Sequence, residues 1–434
     1  MCIRDRKRDR KSTTVVSDTA QLSEAVCDLT FETGKPVIVC QKPDKISGRL
    51  LGVSRNGAEI EGHGTIPFSE DLQCYRLYGR LSQMDIGELK IGYGFTDFVV
   101  EDGTIEAALA VREEKMETIR VLIKTSGYAN SVHQAVELFA DCDCRIWNVE
   151  NELTTLEKGQ RLVITRDSPL LDQTGRITIE PKILTGHLML SGVERAQGQA
   201  NYRGRLELVR REDGIVVINE LPLEEYLYGV VPGEMPASYP LEALKSQAIC
   251  ARTYAYERLQ RAGLPEYGAH VDDSTAFQVY QNLAEQGQTT QAVKETSGQV
   301  LFYGEEPAQT YYYSTSWGCS ASEQEAWGTA KGSNYPVRFQ TDSEDVGPGL
   351  SSEMRFYDFI TGSKETYDSG YDWYRWSVTL SADTLGAKLG IGTVRKITVI
   401  SRGKSGLICK LRVRGSLGRI TLEGQEEIRQ KLYP

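Results

Sequence analysis

Short apolar runs separated by turn residues dominate the first half of the chain and predict β-strands. Each run has three to six residues rich in Val, Ile or Leu, with Gly, Asn and Asp between the runs. They are Pro36–Cys40, Phe98–Val100, Ile119–Lys124, Arg161–Thr165, Arg176–Glu180, Arg205–Val209 and Ile215–Asn219. The last two are separated by Arg-Arg-Glu-Asp-Gly, which suits a hairpin. The spacing favours small antiparallel sheets over alternating strands and helices.

The period of the apolar positions becomes helical after the last of these runs. A first helix is predicted to begin near Pro222 and to break at Pro232-Gly233. A second is predicted to run from Leu241 to about Arg261, with one buried stripe. The stripe comprises Leu241, Leu244, Ala248, Ala251, Ala255 and Leu259. Strands are predicted again at Thr310–Tyr313, Trp376–Leu380, Lys396–Ile400 and Leu407–Val413.

These elements predict an α+β fold in which small antiparallel sheets surround a central pair of helices. A chain of 434 residues is too long for one ordinary domain. A charged, linker-like stretch around Glu114 precedes a strong strand and indicates a boundary near Met116. We therefore predict a basic leader over residues 1–12, a separate β-rich accessory domain over 13–116 and a larger domain over 117–434.

Composition and charge exclude several classes of protein. With 40% hydrophobic and 25% charged residues, the chain is a globular protein and not a disordered one. The formal net charge of −10 argues against a nucleic-acid binder built on a broad basic surface. No apolar run approaches the roughly 20 residues of a membrane-spanning helix, and no secretory signal is visible.

The first twelve residues differ from the rest of the chain. They contain six Lys or Arg and two Asp, which is typical of a solvated tail. The alternative is a cytoplasmic flank before a missing membrane segment. Because the opening letters also resemble translated sequencing adapter, we expect the authentic N-terminus to be missing.

Cysteine and histidine do not form a metal or redox motif. The chain has nine cysteines, and its close pair, Cys142 and Cys144, lacks the CxxC spacing. The four histidines are scattered, and none is part of an HExxH pattern. We therefore predict no metal and no other cofactor.

One glutamate is held at the break between the two predicted helices. Glu234 stands between Pro232-Gly233 and Pro236, residues that restrict the backbone and permit a tight turn. A carboxylate fixed at a loop suits a catalytic group. The alternative is that Glu234 simply caps or precedes the next helix.

Two cations follow on one face of the second helix. Lys245 and Arg252 are seven residues apart, so they project from the same side two turns apart. They predict a positive wall beside Glu234 that holds this carboxylate or binds an anionic or carbonyl group of the substrate, or else a solvated stripe. Gln247 and Tyr254 add hydrogen-bonding groups on an adjoining face, with a place at the edge of the core as the alternative.

The segments Leu223–Pro236 and Leu241–Ala255 closely resemble the stage II sporulation protein D and amidase enhancer family. Further similar motifs follow in the family's order, and the resemblance covers roughly residues 117–434. These motifs are Gln278–Tyr280, Thr296–Val300, Tyr313–Ser316, Ala326–Gly328, Ser405–Leu407 and Gly424–Arg429.

The resemblance implies a lytic transglycosylase that cleaves peptidoglycan glycan strands, above all strands without stem peptides, in cell-wall remodelling or sporulation. It implies that Glu234 is catalytic and that substrate is bound by a larger set of residues. That set comprises Lys245, Arg252, Gln247, Tyr254 and a Ser/Thr-rich groove strand of Ser314, Thr315 and Ser316. It also implies an extracytoplasmic localisation, as a secreted or membrane-anchored protein. Division or engulfment proteins are implied as further partners.

The same motifs leave two other functions open. A non-catalytic amidase enhancer would bind a cell-wall amidase and raise its activity. A wall-binding module would use the β-rich first third of the chain. The intact set of Glu234, Lys245 and Arg252 favours catalysis.

The chain departs from the family pattern at three places. Some members carry a zinc site before the Gln-Val-Tyr motif, but Val271 and Phe277 stand where cysteines would be expected, and His270 alone cannot hold zinc. Trp317 replaces a glycine and either narrows the groove, stacks on a sugar or packs internally. Family members usually continue beyond Pro434, so we expect a truncated C-terminus.

Overall fold

The computed structural model describes residues 27–32, 35–41, 44–113, 115–149, 151–328, 349–362 and 364–432. The chain divides into two compact units, Met1–Phe302 and Tyr303–Pro434. Helices and several small sheets are mixed along the chain, so the predicted α+β class is confirmed. The boundary near Met116 falls inside the first unit and stays a prediction.

Two sheets open the first unit. Their strands are β1 (Cys27–Glu32), β2 (Lys35–Gln41), β3 (Lys45–Ser47), β4 (Leu50–Val53), β5 (Gly57–Ile60), β6 (Gly64–Arg76), β7 (Ser82–Gln83), β8 (Thr96–Glu101) and β9 (Thr104–Ala110). Strands β1 and β2 pair with each other, and the others form one sheet in the order β3-β8-β9-β6-β5-β4, with β7 paired to β6. Leu50, Ile60, Phe98 and Ile105 belong to its buried core.

Two further sheets follow in the same unit. Their strands are β10 (Thr118–Ile123), β11 (Ala135–Ala140), β12 (Cys144–Trp147), β13 (Glu152–Leu156), β14 (Leu162–Thr165), β15 (Arg176–Pro181), β16 (Leu188–Arg195), β17 (Gly198–Tyr202), β18 (Arg205–Arg211), β19 (Gly214–Pro222) and β20 (Val271–Asp272). The sheet orders are β13-β12-β15-β18-β19-β10-β20 and β14-β11-β16-β17. The predicted hairpin is confirmed, since β18 and β19 pair antiparallel up to Arg211 and Gly214.

Three helices complete the first unit: α1 (Leu223–Glu234), α2 (Leu241–Gln260) and α3 (Gly287–Glu295). The predicted stripe of α2 is buried except for Leu241, which is half-buried. The predicted break at Pro232-Gly233 is wrong, because α1 continues through both residues to Glu234. A proline in the last turn removes one backbone donor without ending the helix, and the Met235 amide still bonds the Val231 carbonyl.

A largely buried network of ion pairs joins the N-terminal sheet to the sheet that contains β10, β15, β18 and β19. Its members are Arg49, Glu59, Arg120, Arg176, Arg205, Glu207 and Glu220. The Arg120 guanidinium pairs with both Glu207 and Glu220. Burial would raise the pKa of Glu220, but the guanidinium groups of Arg120, Arg49 and Arg205 outweigh it and lower that pKa to about 2. These charges therefore stabilise the fold as a mutually paired set.

The second unit has its own small core. Its elements are β21 (Phe302–Tyr303), β22 (Glu306–Pro307), α4 (Glu323–Trp327), α5 (Glu353–Thr361), α6 (Ala382–Leu389), β23 (Val394–Arg402), β24 (Ile408–Gly415), β25 (Arg419–Glu423) and α7 (Gln425–Leu432). Strands β23, β24 and β25 form one antiparallel sheet in that order. Helices α6 and α7 cover one of its faces around Leu411, Val413 and Leu422.

Two of the four strand predictions in this unit are confirmed and two are wrong. Lys396–Ile400 and Leu407–Val413 lie in β23 and β24, apart from Leu407 itself. Thr310–Tyr313 and Trp376–Leu380 have irregular backbone. Both segments are rich in residues that favour strands, but side chains such as Tyr313 and Trp376 are exposed, so strand propensity alone was misleading.

Candidate functional site

Glu234 is the last residue of α1, and its carboxylate is held by a main-chain group. The side chain is half-buried, and Oε1 accepts a hydrogen bond of 3.0 Å from the Val279 amide. A turn from Pro236 to Tyr239 follows, and Pro240 then precedes α2. The carboxylate is thus fixed in position at a helix end while part of the side chain stays open to solvent.

The segment that presents the Val279 amide is anchored to both helices. Gln278 is buried, accepts a hydrogen bond from the Tyr226 hydroxyl in α1 and donates one to the Ala251 carbonyl in α2. The Tyr280 hydroxyl donates to Asn219 at 2.8 Å. Because the residues on both sides of Val279 are fixed, its amide is fixed relative to Glu234.

Arg252 is a buried connector between helices. Its side chain is 1% exposed, and Nε and Nη2 each donate to one carboxylate oxygen of Glu224 at 2.8 Å. The other donors reach the Thr296 hydroxyl and the carbonyls of Val293 and Gln299. Arg252 therefore joins the first turn of α1 to the carboxyl end of α3, where a cation is favoured. This burial rules out a solvated stripe at this position.

Lys245 also faces α3. The seven-residue spacing predicted that Lys245 and Arg252 share one face of α2. Its ammonium group lies 2.7 Å from a carboxylate oxygen of Glu295 and 2.9 Å from one of Glu242. These hydrogen bonds raise the pKa of Lys245. The shared face of Lys245 and Arg252 is thus the side of α2 that packs against α3, and their binding of substrate stays a prediction.

The two polar residues of the adjoining face differ in burial. Gln247 is buried, and its Nε2 has no hydrogen-bond partner among the described residues. Tyr254 is half-buried, with the Arg258 guanidinium 5.2 Å from its ring centroid. A buried amide nitrogen without an acceptor is unusual in a folded protein and marks Gln247 as a candidate binding group.

The predicted groove strand lies in the second unit and has no strand structure. Ser314 is exposed and Thr315 half-buried. Ser316 is buried, and both its amide and its hydroxyl donate to one carboxylate oxygen of Asp368, the amide at 2.8 Å. Trp317 packs internally, and its indole donates to the Ser405 carbonyl at 2.8 Å.

His270 has a role within the core. It is fully buried, Nδ1 accepts from the Arg120 amide, and Nε2 donates to the Ile91 carbonyl at 3.2 Å. Burial lowers the pKa of His270 to about 3, so the ring is neutral. Among the residues that the structure describes, no group of three or more His, Cys, Asp or Glu is placed to hold a metal ion.

Sequence reasoning missed two partners of the predicted site residues. Glu224 is acidic in the first turn of α1, a position that is usually explained by the helix dipole alone. Its pairing with Arg252, 28 residues later, depends on how α1 and α2 pack. The Val279 amide belongs to the main chain, so no residue type could have indicated its bond to Glu234.

Comparisons with known proteins agree with this region of the chain. Residues 211–303 match the family model described as Stage II sporulation protein, and residues 340–434 match one described as Domain of unknown function (DUF8618). The chain therefore carries an α+β domain with its candidate glutamate inside a sporulation-protein segment. Residues 211–303 are similar to proteins of the stage II sporulation protein D and amidase enhancer family.

Three relatives illustrate the range of this similarity. Stage II sporulation protein D of Bacillus subtilis is 36% identical over 127 residues, covering 26% of this chain and 37% of the relative. An uncharacterized protein of Brachyspira hyodysenteriae is 35% identical over 143 residues, covering 32% and 36%. The amidase enhancer of Bacillus subtilis is 40% identical over 104 residues, covering 24% and 14%. The chain thus matches little more than a third of the length of these relatives at most.

Within the described ranges, none of the helices combines the length and the hydropathy that a bilayer crossing requires.

Proposed function

We propose that this protein acts in the cell wall as a peptidoglycan lytic transglycosylase with Glu234 as its catalytic acid and base. The observation that carries the proposal is the Glu234 carboxylate, half-exposed at the end of α1 and held by the Val279 amide. Glu234 lies inside the segment that matches the sporulation family. Support also comes from the relatives named for sporulation and for amidase enhancement.

The chemistry suits a single carboxylate. Hydrolytic glycosidases generally use two carboxyl groups, one of which activates water or attacks the sugar. In a lytic transglycosylase, Glu234 protonates the glycosidic oxygen between N-acetylmuramic acid and N-acetylglucosamine, and the C1–O bond breaks. The carboxylate then removes the proton of the muramyl C6 hydroxyl, whose oxygen bonds to C1 and yields a 1,6-anhydro end. The nucleophile belongs to the substrate, so binding supplies proximity.

The neighbours of Glu234 suit a group that alternates between two protonation states. The carboxyl end of a helix carries partial negative charge and favours the neutral acid. The Val279 amide donates to Oε1 and favours the carboxylate. A carboxyl group that first gives and then accepts a proton needs support in both states.

We assign different roles to the two cations of α2. Arg252 is buried against Glu224, so we propose that it positions α1, and with it Glu234, while its contact with substrate stays a prediction. Lys245 is partly exposed, so it is the better candidate for binding substrate oxygens. Gln247 and Tyr254 remain proposed substrate contacts. In the second unit, Ser314 and Thr315 are proposed to contact glycan, and Ser316 to shape their loop through Asp368.

The substrate and the cellular localisation of the protein follow from the same proposal. Glycan strands lie outside the cytoplasmic membrane, so we propose an extracytoplasmic protein, secreted or anchored. Residues 13–116 would be an accessory region, and residues 117–434 would carry the catalytic function.

A second function is favoured by one finding, the 40% identity to an amidase enhancer over 104 residues. In that case the chain would bind a cell-wall amidase and raise its activity without cleaving glycan. The two functions differ in their products, because an enhancer on its own releases no anhydro ends.

The two functions can be separated with one substrate. Denuded glycan strands are incubated with the protein in ¹⁸O-labelled water, and the products are analysed by mass spectrometry. Unlabelled 1,6-anhydro ends confirm the transglycosylase, because no water enters the product. Labelled reducing ends would show hydrolysis and contradict the mechanism. Absence of product together with faster release of stem peptides by an added amidase would establish the enhancer instead.

A further inference from the structure

The sheet β23-β24-β25 concentrates positive charge in an acidic protein. Residues 394–423 contain eight Lys or Arg and one Glu, whereas the whole chain has a formal net charge of −10. The inner face of this sheet packs on α6 and α7 through Leu411, Val413 and Leu422. The charges therefore have to be located on the strands before they can be assigned a role.

The strand register places four cations on the outer face. Lys396 lies opposite Arg414, and Arg414 lies opposite Arg419, so three cations form one row across the sheet. Arg412 is two residues from Arg414 and points to the same side, since alternate residues of a strand share a face. All four side chains are exposed.

This row is not neutralised by the described residues. None of the four cations forms an ion pair or side-chain hydrogen bond there, whereas Lys410 on the same strand pairs with Glu423. Like charges directly opposite each other destabilise a sheet. Neighbouring strands are about 4.8 Å apart, so the row is a dense line of positive charge suited to a surface with closely spaced anions.

An apolar residue stands at the end of this row. Leu417 is at the tip of the β24–β25 turn, between Arg414 and Arg419, and is 84% exposed. The turn is held by the bond from the Gly415 amide to the Gly418 carbonyl and by the bond from the Leu417 amide to Ile391. A fixed, exposed leucine flanked by arginines matches the boundary between acyl chains and anionic headgroups.

We propose that the outer face of β23-β24-β25 binds the surface of an anionic phospholipid bilayer. The arginines and Lys396 contact headgroup phosphates, and Leu417 enters the edge of the acyl region. A soluble polyanion would use the cations but would gain nothing from Leu417. This surface lies in the second unit and does not depend on the proposed function of Glu234.

The test is co-sedimentation of the full-length protein with phosphatidylcholine vesicles, with and without phosphatidylglycerol. We expect binding only to the anionic vesicles, weakened by salt. The variant R414E/R419E should lose roughly tenfold or more of the apparent affinity. Its matched control is R429E/K431E, which makes the same charge change on exposed residues of α7 and should stay within about twofold of the parent protein.

Two further variants make the proposal falsifiable. Leu417→Ser should weaken vesicle binding and leave binding to inorganic polyphosphate unchanged, whereas Glu234→Gln should bind vesicles like the parent. Equal binding to neutral vesicles, or equal losses in the two double-charge variants, would overturn the proposal. Full vesicle binding by the Leu417 variant would show a general polyanion site and would also overturn it. Circular dichroism confirms that each variant is folded.

Discussion

Buried charged residues have different roles in the sheet region and in the helical region of the first unit. Around Arg120, guanidinium and carboxylate groups from several strands neutralise one another in the interior. In the helical region, Arg252 is equally buried, but the Glu234 carboxylate is half-buried and bonded to the Val279 amide. The first arrangement serves the fold. The second holds helices together and presents one carboxylate toward solvent, as a catalytic group requires.

The largest effect on stability is expected in the sheet region. Arg120→Met leaves Glu207 and Glu220 buried without their central cation, so the free energy of unfolding should fall by about 3–5 kcal/mol. Urea denaturation measures this free energy of unfolding. The control is Arg145→Met, which breaks an exposed pair with Glu180 and should lose at most about 1 kcal/mol. Equal losses would contradict the structural role of the network.

A smaller loss is expected in the helical region. Arg252→Met should lower the free energy of unfolding by about 2–3 kcal/mol, since the Glu224 left behind is partly exposed and can be hydrated. Arg252→Lys should restore only part of it, because an ammonium group cannot bond both oxygens in the same way. Lys245→Met, whose partners are exposed, should lose less stability than Arg252→Met. A larger loss for Lys245 than for Arg252 would reverse the assigned roles.

Two buried glutamines of the helical region allow a matched comparison. Gln278→Leu removes bonds to Tyr226 and Ala251 and should cost about 1–3 kcal/mol of stability. Gln247→Leu removes an amide nitrogen that has no acceptor among the described residues, so stability should change little or rise. A thermal shift assay on both variants checks this. A strong destabilisation by Gln247→Leu would mean that the residue is structural.

The smallest expected effect concerns pH. His270 stays neutral in the folded protein down to about pH 3, whereas in the unfolded chain it titrates near its ordinary value of 6.5. Its contribution to stability is therefore complete above the unfolded pKa and is lost as the pH falls. Between about pH 6.5 and 5.5 the loss is about 1 kcal/mol.

Substitution of His270 isolates this contribution. His270→Asn should have a shallower dependence of unfolding free energy on pH in this range than the parent protein. The exposed His63→Asn variant should keep the parent slope. Identical slopes for all three proteins would contradict a neutral, buried His270.

Periodic features were predictable from the sequence, and contacts between distant residues were not. The buried stripe of α2 follows from its helical period, and the β18–β19 hairpin follows from its turn residues. The Arg252–Glu224 pair depends on helix packing, which residue spacing alone does not encode. The same holds for the bond from the Val279 main chain to Glu234.

The errors have physical causes as well. Pro232 predicts a break in the helix, but in the last turn a proline removes only one backbone donor, and the helix continues to Glu234. Residues that favour strands are frequent around Tyr313 and Trp376, yet both of these side chains are exposed and the backbone there is irregular. Periodicity indicates a buried face only where another element covers it.

The most direct test of the central claim compares two glutamates of the same helix. Release of 1,6-anhydro ends from denuded glycan is measured by mass spectrometry for the parent protein, Glu234→Gln and Glu225→Gln. Both residues are half-buried in α1, so the pair controls for the change from carboxylate to amide. Loss of the acid and base should lower the rate about 10²–10⁴-fold for Glu234→Gln only. Parent-like release of anhydro ends by Glu234→Gln would contradict the mechanism.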